Sequence, residues 1–255
     1  MIYLQRMLLN HLDTLVAKTS SIQLNNLLGG GFKSNRIYHF YGSPIAGKSS
    51  LGLDIAYNTE EIVLYLNFDR KPLNIKRENI LILQVYDIKE LFEILDKMPK
   101  IKIAAIIVDS IPSIYSERLY KTQKYITNTV MAMIYKLTTY LRKFDFPALI
   151  LLNQIRTDIF NKINKVSYTA KKFIDSMSHF SCVMMKEMVR GKYIITSLKP
   201  DFNLINNKIY PIKICVTNKG NLSYGFSLYV QEMENNNIIV KNNKLYYKEK
   251  EFNTI

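Results

Sequence analysis

The stretch YGSPIAGKSS, residues 41–50, decides the fold, because it contains a complete G-x-x-x-x-G-K-[ST] motif. In this motif glycines let backbone N–H groups approach phosphate oxygens, the lysine reaches the β- and γ-phosphates, and the hydroxyl ligates Mg²⁺. The alternative is a turn of small residues between a strand and a helix. The motif predicts a site for ATP and Mg²⁺ formed by Gly42, Ser43, Pro44, Ile45, Ala46, Gly47, Lys48, Ser49 and Ser50, with Ser49 as a metal ligand.

The sequence on either side of the motif favours the phosphate site over a simple turn. RIYHFYG, residues 36–42, alternates in polarity and ends in glycine, which is typical of a strand. KSSLGLDIAYN, residues 48–58, continues with leucine and isoleucine at helical spacing. A helix that begins at Lys48 would add the positive end of its dipole to an anion site.

Strand-like and helix-like patterns alternate from about residue 35 to 155, which predicts an α/β fold with a mainly parallel sheet flanked by helices. The predicted strands are 36–42, 62–68, 80–85, 103–110 and 148–154, and the predicted helices are 48–58, 88–98 and 117–143. Short β runs from about 192 to 255 predict an antiparallel meander that extends the sheet, with a hairpin at 240–247. We expect a short helical segment at 1–18 and one domain at 19–255.

The composition restricts the class of partner. The chain of 255 residues carries a formal net charge of +14 and is 48% hydrophobic, so it can fold and can attract a polyanion. That polyanion could be nucleic acid or an anionic membrane surface; a solvated lysine-rich surface is the alternative. The N-terminus does not resemble a signal peptide, and the longest apolar run, 103–108, is too short to span a bilayer. We therefore expect a cytoplasmic protein with no membrane partner.

Several of the predicted parallel strands end in polar residues, and open sheets bind ligands at this edge. Asp109 ends an apolar strand and is a candidate for holding Mg²⁺. Asp69 follows the second strand, where a carboxylate could orient an attacking water. Gln154 ends the fifth strand, where an amide could sense the γ-phosphate. Each acidic residue could instead serve only as a strand-end cap or turn former.

A long basic segment, 155–172, follows Gln154 and interleaves lysines with aromatic rings. Cations can contact backbone phosphates and rings can stack on bases, so the segment suits single-stranded nucleic acid. A solvated surface helix is the alternative. The candidate DNA-binding residues are Arg156, Lys162, Lys165, Tyr168, Lys171 and Lys172.

Several stretches in order resemble the RecA-type recombinases, meaning bacterial RecA and archaeal RadA and RadB, over roughly residues 19–230. They are TSSIQLNNLLGGGFKSNRIYHFYG (19–42), GSPIAGKSS (42–50), IIVDSI (106–111), LLNQIR (151–156) and TAKKFIDS (169–176). The resemblance implies a RecA-like P-loop ATPase core that uses ATP and Mg²⁺, binds single-stranded DNA through loops and assembles head to tail. It also implies that Gln154 couples the nucleotide state to the basic segment.

The sequence also departs from that family in ways that affect the expected activity. The family has Glu where this chain has Asp69, one methylene shorter, and a misplacement of about 1 Å can cost roughly 100-fold in rate. The basic segment lacks the family's glycines, and residues 1–18 contain no clear F-x-x-A motif. We expect a core-only, RadB-like or RecA-like paralogue with weak DNA-dependent ATPase activity.

The expected function is ATP-dependent DNA binding in homologous recombination or repair, as a recombinase or a recombinase paralogue. The expected partners are single-stranded DNA and either further copies of the chain or a partner recombinase. One alternative is a mediator that does not hydrolyse ATP and acts through a partner recombinase. Another is a KaiC-type regulatory ATPase that acts on proteins and not on DNA.

Overall fold

The computed structural model describes residues 14–70, 72–73, 75–115, 122–155, 170–190, 193–200, 212–217, 222–223, 226, 238–241, 244–247 and 250–252. Its strands are β1 (Leu15–Ala17), β2 (Phe32–Lys33), β3 (Ile37–Gly42), β4 (Val63–Asn67), β5 (Ile80–Gln84), β6 (Ala105–Asp109), β7 (Ala148–Gln154), β8 (Phe180–Arg190), β9 (Tyr193–Pro200), β10 (Ile212–Val216), β11 (Ile238–Lys241), β12 (Lys244–Tyr247) and β13 (Lys250–Phe252). Its helices are α1 (Ile22–Leu27), α2 (Lys48–Tyr57), α3 (Ile88–Lys97), α4 (Gln123–Leu141) and α5 (Lys171–Met177), with a 3₁₀ turn at Ile111–Tyr115.

The central sheet has eight strands in the order β10-β9-β8-β3-β7-β6-β4-β5. The six strands from β8 to β5 are parallel. Strands β9 and β10 continue the sheet in antiparallel pairing beyond β8. The α/β class with a mainly parallel sheet and antiparallel strands toward the C-terminus is therefore confirmed.

The strand β8 was not predicted from the sequence, although it pairs with β3 in the central sheet. The pairing of β8 with β9 shifts register between Lys186 and Met188, and Lys186 and Glu187 are exposed. An irregularity of this kind interrupts the alternation of apolar and polar residues from which a strand is recognised.

Two other sequence predictions need correction. Leu15–Ala17 is a strand paired with β2, so the helical segment predicted for 1–18 does not include these residues, and 1–13 lie outside the described part. The C-terminal meander does not all extend the central sheet, because β11, β12 and β13 form a separate three-stranded sheet. The predicted hairpin within it is confirmed, since Lys241 pairs with Lys244 across a two-residue connection.

Alternation along the parallel strands divides the core between two faces of the sheet. On one face Leu64 and Ile106 pack in a cluster with residues of α3 and α4. On the other face Val63, Tyr65 and Ile107 pack in a cluster with residues of α2. Helices therefore cover both faces, and the face that carries α2 also carries the last residue of β6, Asp109, which is two positions after Ile107.

The segment before α1 is tied to α2 by a buried carboxylate. Asp54 of α2 accepts hydrogen bonds from the backbone N and the Oγ of Ser20, at 2.8 and 2.6 Å. The Nδ2 of Asn58 donates to the same carboxylate at 3.1 Å. Burial raises the pKa of Asp54, and these hydrogen bonds oppose that rise. No helix among the described residues is long and apolar enough to cross a membrane.

Candidate functional site

Two glycines flank or end the loop between β3 and α2, residues 43–47. Gly42 directly precedes the loop and Gly47 is its last residue, and no larger residue could replace either one without movement. A Cβ on Gly42 would lie 2.2 Å from the carbonyl oxygen of Met184 in β8. Gly47 has φ +83°, and its Cβ would lie 2.7 Å from Cγ2 of Val216 in β10. The loop is thus pressed against the strands on the C-terminal side of the sheet, and we call residues 42–49 the glycine loop.

The glycine loop is also held by a hydrogen bond from β9. Oγ1 of Thr196 donates to the carbonyl oxygen of Ala46 at 3.1 Å, and both residues are buried. The sequence analysis missed Thr196, Met184 and Val216 as residues that shape the loop. No local signal marks them, because their contact with the loop depends on where β8, β9 and β10 lie in the sheet.

Lys48 is the first residue of α2, and its side chain folds back over the first residues of the glycine loop. Its Nζ donates to the carbonyl oxygens of Gly42, at 3.1 Å, and Ser43, at 2.7 Å, and the residue is buried. The first N–H groups of a helix have no partner within the helix, so this end combines an ammonium group with backbone donors. That combination is suited to a polyphosphate.

Ser49, one residue further, connects α2 to the end of β6. Its Oγ donates to Oδ1 of Asp109 at 3.1 Å. Tyr65 of β4 donates from its hydroxyl to Oδ2 of the same carboxylate at 2.6 Å. Both oxygens of Asp109 therefore accept a hydroxyl hydrogen bond, and the carboxylate is buried.

Several opposing effects act on the pKa of Asp109. Burial has the largest effect and raises the pKa of Asp109 above its usual value, and the negative charge of Asp69 raises it further. Hydrogen bonds from Tyr65 and Ser49, and the charge of Lys48, act in the opposite direction. Burial and the charge of Asp109 also raise the pKa of the Tyr65 phenol well above its usual range, so the phenol donates the hydrogen bond.

Asp69 lies beside Asp109, because the backbone N–H groups of Phe68 and Asp69 both point to the Asp109 carbonyl oxygen, at 2.7 and 3.3 Å. The Asp69 carboxylate accepts hydrogen bonds from Ser110 at 2.9 Å and from Ser113. From the sequence, Ser110 was only the last residue of the predicted strand 103–110, and Ser113 was missed. Their three-residue spacing in DSIPS, within a turn, was the available signal.

Gln154 ends β7 next to the start of the glycine loop. It pairs with Gly42 across the parallel strands, and the N–H of Ile155 donates to the Gly42 carbonyl oxygen at 3.0 Å. Ile150 and Leu152 pack on the α2 face of the sheet, so alternation places Gln154 on that face too. The structure therefore brings Gln154 close to the loop, and its role as a switch stays a prediction.

Most of the predicted DNA-binding residues, namely Arg156, Lys162, Lys165 and Tyr168, lie outside the described residues. Lys171 and Lys172 begin α5, where Lys172 is exposed and Lys171 forms an ion pair with Asp175 at 3.2 Å. DNA binding by this segment stays a prediction.

The residues present fit ATP and Mg²⁺ in their chemistry. A hydroxyl and a carboxylate, Ser49 and Asp109, already contact each other, and Mg²⁺ prefers oxygen ligands while keeping several from phosphate and water. No cluster of three or more His, Cys, Asp or Glu that could hold a metal ion occurs in the described part of the chain. A metal at this site would therefore take most of its ligands from phosphate oxygens and water.

No protein-family model matches the chain. It is similar to the DNA repair protein RadA of Aquifex aeolicus, with 31% identity over 138 residues, which cover 50% of this chain and 30% of RadA. It is also similar to the DNA repair and recombination protein RadB of Archaeoglobus fulgidus, with 25% identity over 171 residues, which cover 60% of this chain and 77% of RadB. The matched part thus spans less than a third of that RadA and about three quarters of that RadB.

Proposed function

The chain is a distant homologue within the RecA/RadA/RadB family, and from that premise we propose that it is an ATP-dependent DNA-binding protein of homologous recombination and repair. It acts as a recombinase or as a recombinase paralogue that binds single-stranded DNA. We expect it in the cytoplasm, associated with DNA, and assembled with copies of itself or with a partner recombinase.

The observation that carries the nucleotide part of the proposal is the contact between Ser49 and Asp109, 3.1 Å apart, at the end of the glycine loop. Lys48 and the N-terminus of α2 would hold the β- and γ-phosphates, and Ser49 and Asp109 would hold Mg²⁺. Bound Mg²⁺ supplies charge neutralisation for the phosphates. Gly47, at φ +83°, lets the backbone approach the phosphates closely.

Asp69 is proposed as the carboxylate that orients the attacking water. Two hydroxyl hydrogen bonds, from Ser110 and Ser113, hold the Asp69 carboxylate beside Asp109. Because the side chain is one methylene shorter than Glu, we expect slow hydrolysis. Gln154 would report the presence of the γ-phosphate to the basic segment that follows it.

The nucleotide part is tested with Lys48→Ala and ATP binding. Lys48 is buried, and its Nζ donates to the carbonyl oxygens of Gly42 and Ser43 in the same loop, so we expect the variant to keep its fold. ATP affinity should fall by at least about 100-fold, since a hydrogen bond to a charged group contributes roughly 1.5–3 kcal/mol and the lysine makes more than one. Retained affinity in a folded variant would overturn the assignment.

The DNA part is tested by ATP hydrolysis with and without single-stranded DNA, together with fluorescence anisotropy of labelled DNA. Turnover that rises with DNA, and DNA binding that requires ATP, would support a recombinase-type ATPase. DNA binding without turnover would indicate the mediator. An ATP hydrolysis rate that is the same with and without DNA, together with no DNA binding, would contradict the proposal. That result would indicate an ATPase that acts on protein partners.

A further inference from the structure

Tyr65 lies in β4, where its neighbours Leu64 and Leu66 are aliphatic. Its side chain is fully buried, and its hydroxyl donates to Oδ2 of Asp109 at 2.6 Å. A buried tyrosine hydroxyl usually finds some partner, and a backbone carbonyl would satisfy it. Here the partner is a carboxylate at the candidate metal site, on the neighbouring strand.

Sheet geometry explains why these two residues meet. Tyr65 pairs with Ile107 and Asn67 pairs with Asp109 across β4 and β6, so Tyr65 and Asp109 are diagonal neighbours on the α2 face. The phenol reaches along that face beneath α2. Gly52 of α2 has no side chain and so leaves space for the Tyr65 hydroxyl. A Cβ at that position would lie 3.3 Å from the hydroxyl oxygen.

The two oxygens of Asp109 have different partners. Oδ1 faces Ser49, which the proposed function makes a Mg²⁺ ligand, and Oδ2 faces Tyr65. A carboxylate held at one oxygen cannot rotate freely about its Cβ–Cγ bond. The hydrogen bond from Tyr65 therefore keeps Oδ1 on the side of Ser49.

We propose that Tyr65 is a positioning residue for Mg²⁺, which orients the Asp109 carboxylate toward the metal held with the nucleotide. This inference rests on the proposed function and extends it to a residue that touches neither nucleotide nor metal. Removal of a group that hydrogen-bonds to a metal ligand and orients it typically lowers metal affinity about 10- to 100-fold.

The test compares nucleotide affinity with Mg²⁺ and with EDTA, using anisotropy of a fluorescent ATP analogue. In Tyr65→Phe the ring is retained and only the hydroxyl is lost. The enhancement of affinity by Mg²⁺ should fall about 10- to 100-fold, while affinity in EDTA stays at the wild-type value. Tyr38→Phe is the matched control, because Tyr38 is a buried tyrosine of β3 whose hydroxyl bonds to the N–H of Lys33; it should leave the enhancement unchanged.

A double-mutant cycle separates orientation from packing. In an Asp109→Asn background the Tyr65→Phe change should have no further effect on the Mg²⁺ enhancement. An equal loss in both backgrounds, an unchanged enhancement in Tyr65→Phe alone, or a Tyr65→Phe protein that does not fold would each overturn the inference. Failure of the wild-type protein to bind the nucleotide at all would instead contradict the proposed function.

Discussion

The hydroxyl of Thr196 in β9 and the carbonyl oxygen of Ala46 in the glycine loop are joined by a buried hydrogen bond of 3.1 Å across 150 residues of sequence. Val216 of the next strand contacts the same loop, since a Cβ on Gly47 would meet it at 2.7 Å. The antiparallel strands at the edge of the sheet therefore brace the loop from the side opposite β7. The shape of the candidate site depends on a part of the chain that carries no motif.

Thr196→Val should lower both stability and nucleotide affinity. The change keeps the shape of the side chain but leaves the buried Ala46 carbonyl without this donor, which costs about 1–3 kcal/mol. If about 1.4 kcal/mol of that cost is expressed in binding, ATP affinity falls tenfold. Urea unfolding and ATP titration measure the two effects. Thr196→Ser keeps the hydroxyl and should stay close to wild type in affinity; equal losses in both variants would contradict the role of the hydrogen bond.

Gly42→Ala should destabilise the protein strongly, because the new methyl group would lie 2.2 Å from the carbonyl oxygen of Met184. Backbone atoms cannot turn aside as a side chain can, so β8 must shift from β3. We expect a loss well above the ordinary cost of overpacking, which is about 1–3 kcal/mol. Thermal unfolding measures it. Gly30→Ala is the control, since its φ is +110° but nothing lies within 4 Å; a larger loss there than at residue 42 would disprove the steric argument.

Because of Asp54, the free energy of unfolding should decrease as pH rises through the acidic range. Burial raises its folded pKa above the ordinary value of 3.8, so the folded state holds this proton more tightly than the unfolded state. The stability linked to the proton is complete below pH 3.8 and is lost as pH rises through the raised folded pKa.

The measurement is the free energy of urea unfolding against pH for the wild type and Asp54→Asn. The stability of the wild type relative to the variant should decrease from acidic pH towards neutrality. Asp145→Asn, at an exposed position with φ +61° that asparagine tolerates, is the control and should keep the wild-type pH dependence. A difference between wild type and Asp54→Asn that increases with pH would contradict the sign.

Replacing Lys162, Lys165, Lys171 and Lys172 by alanine should weaken binding to single-stranded DNA and flatten its salt dependence. Each phosphate contact contributes about 0.7 to the logarithmic salt slope, so four contacts reduce the slope by up to about 3. Anisotropy of labelled DNA over a salt series measures it. A control with the same charge change carries alanine at the exposed Lys89, Lys97, Lys100 and Lys124. Equal slopes in the two variants would show that general charge, and not this segment, binds DNA.

Local patterns were sufficient for the elements that surround the glycine loop. The strand at 148–154 has the predicted bounds, and the helix after the loop begins at Lys48 as predicted. These predictions succeeded because the strands are buried on both faces and their apolar runs end in glycine or polar residues. The predicted helix at 117–143 is α4, Gln123–Leu141, whose cap is Thr122, with 116–121 outside the described residues.

The sequence predicted less wherever pairing with a distant segment decides the local structure. Leu15–Ala17 forms a strand only through pairing with β2, and β8 was overlooked because its register shift interrupts the alternation. Tyr65 was assigned simply to a buried strand, and Thr196 to a terminal β run. Neither assignment showed which polar atom each hydroxyl would contact.

The sequence by itself determined the alternating α/β class, the glycine loop and the polar residues at the strand ends, since these depend on periodicity and on a contiguous motif. Only the tertiary structure decided that Tyr65 meets Asp109, that Ser113 meets Asp69 and that Thr196 holds Ala46. The physical reason is that such contacts require the order and register of strands distant in sequence. Strand order comes from the packing of the whole sheet, which no local pattern of residues encodes.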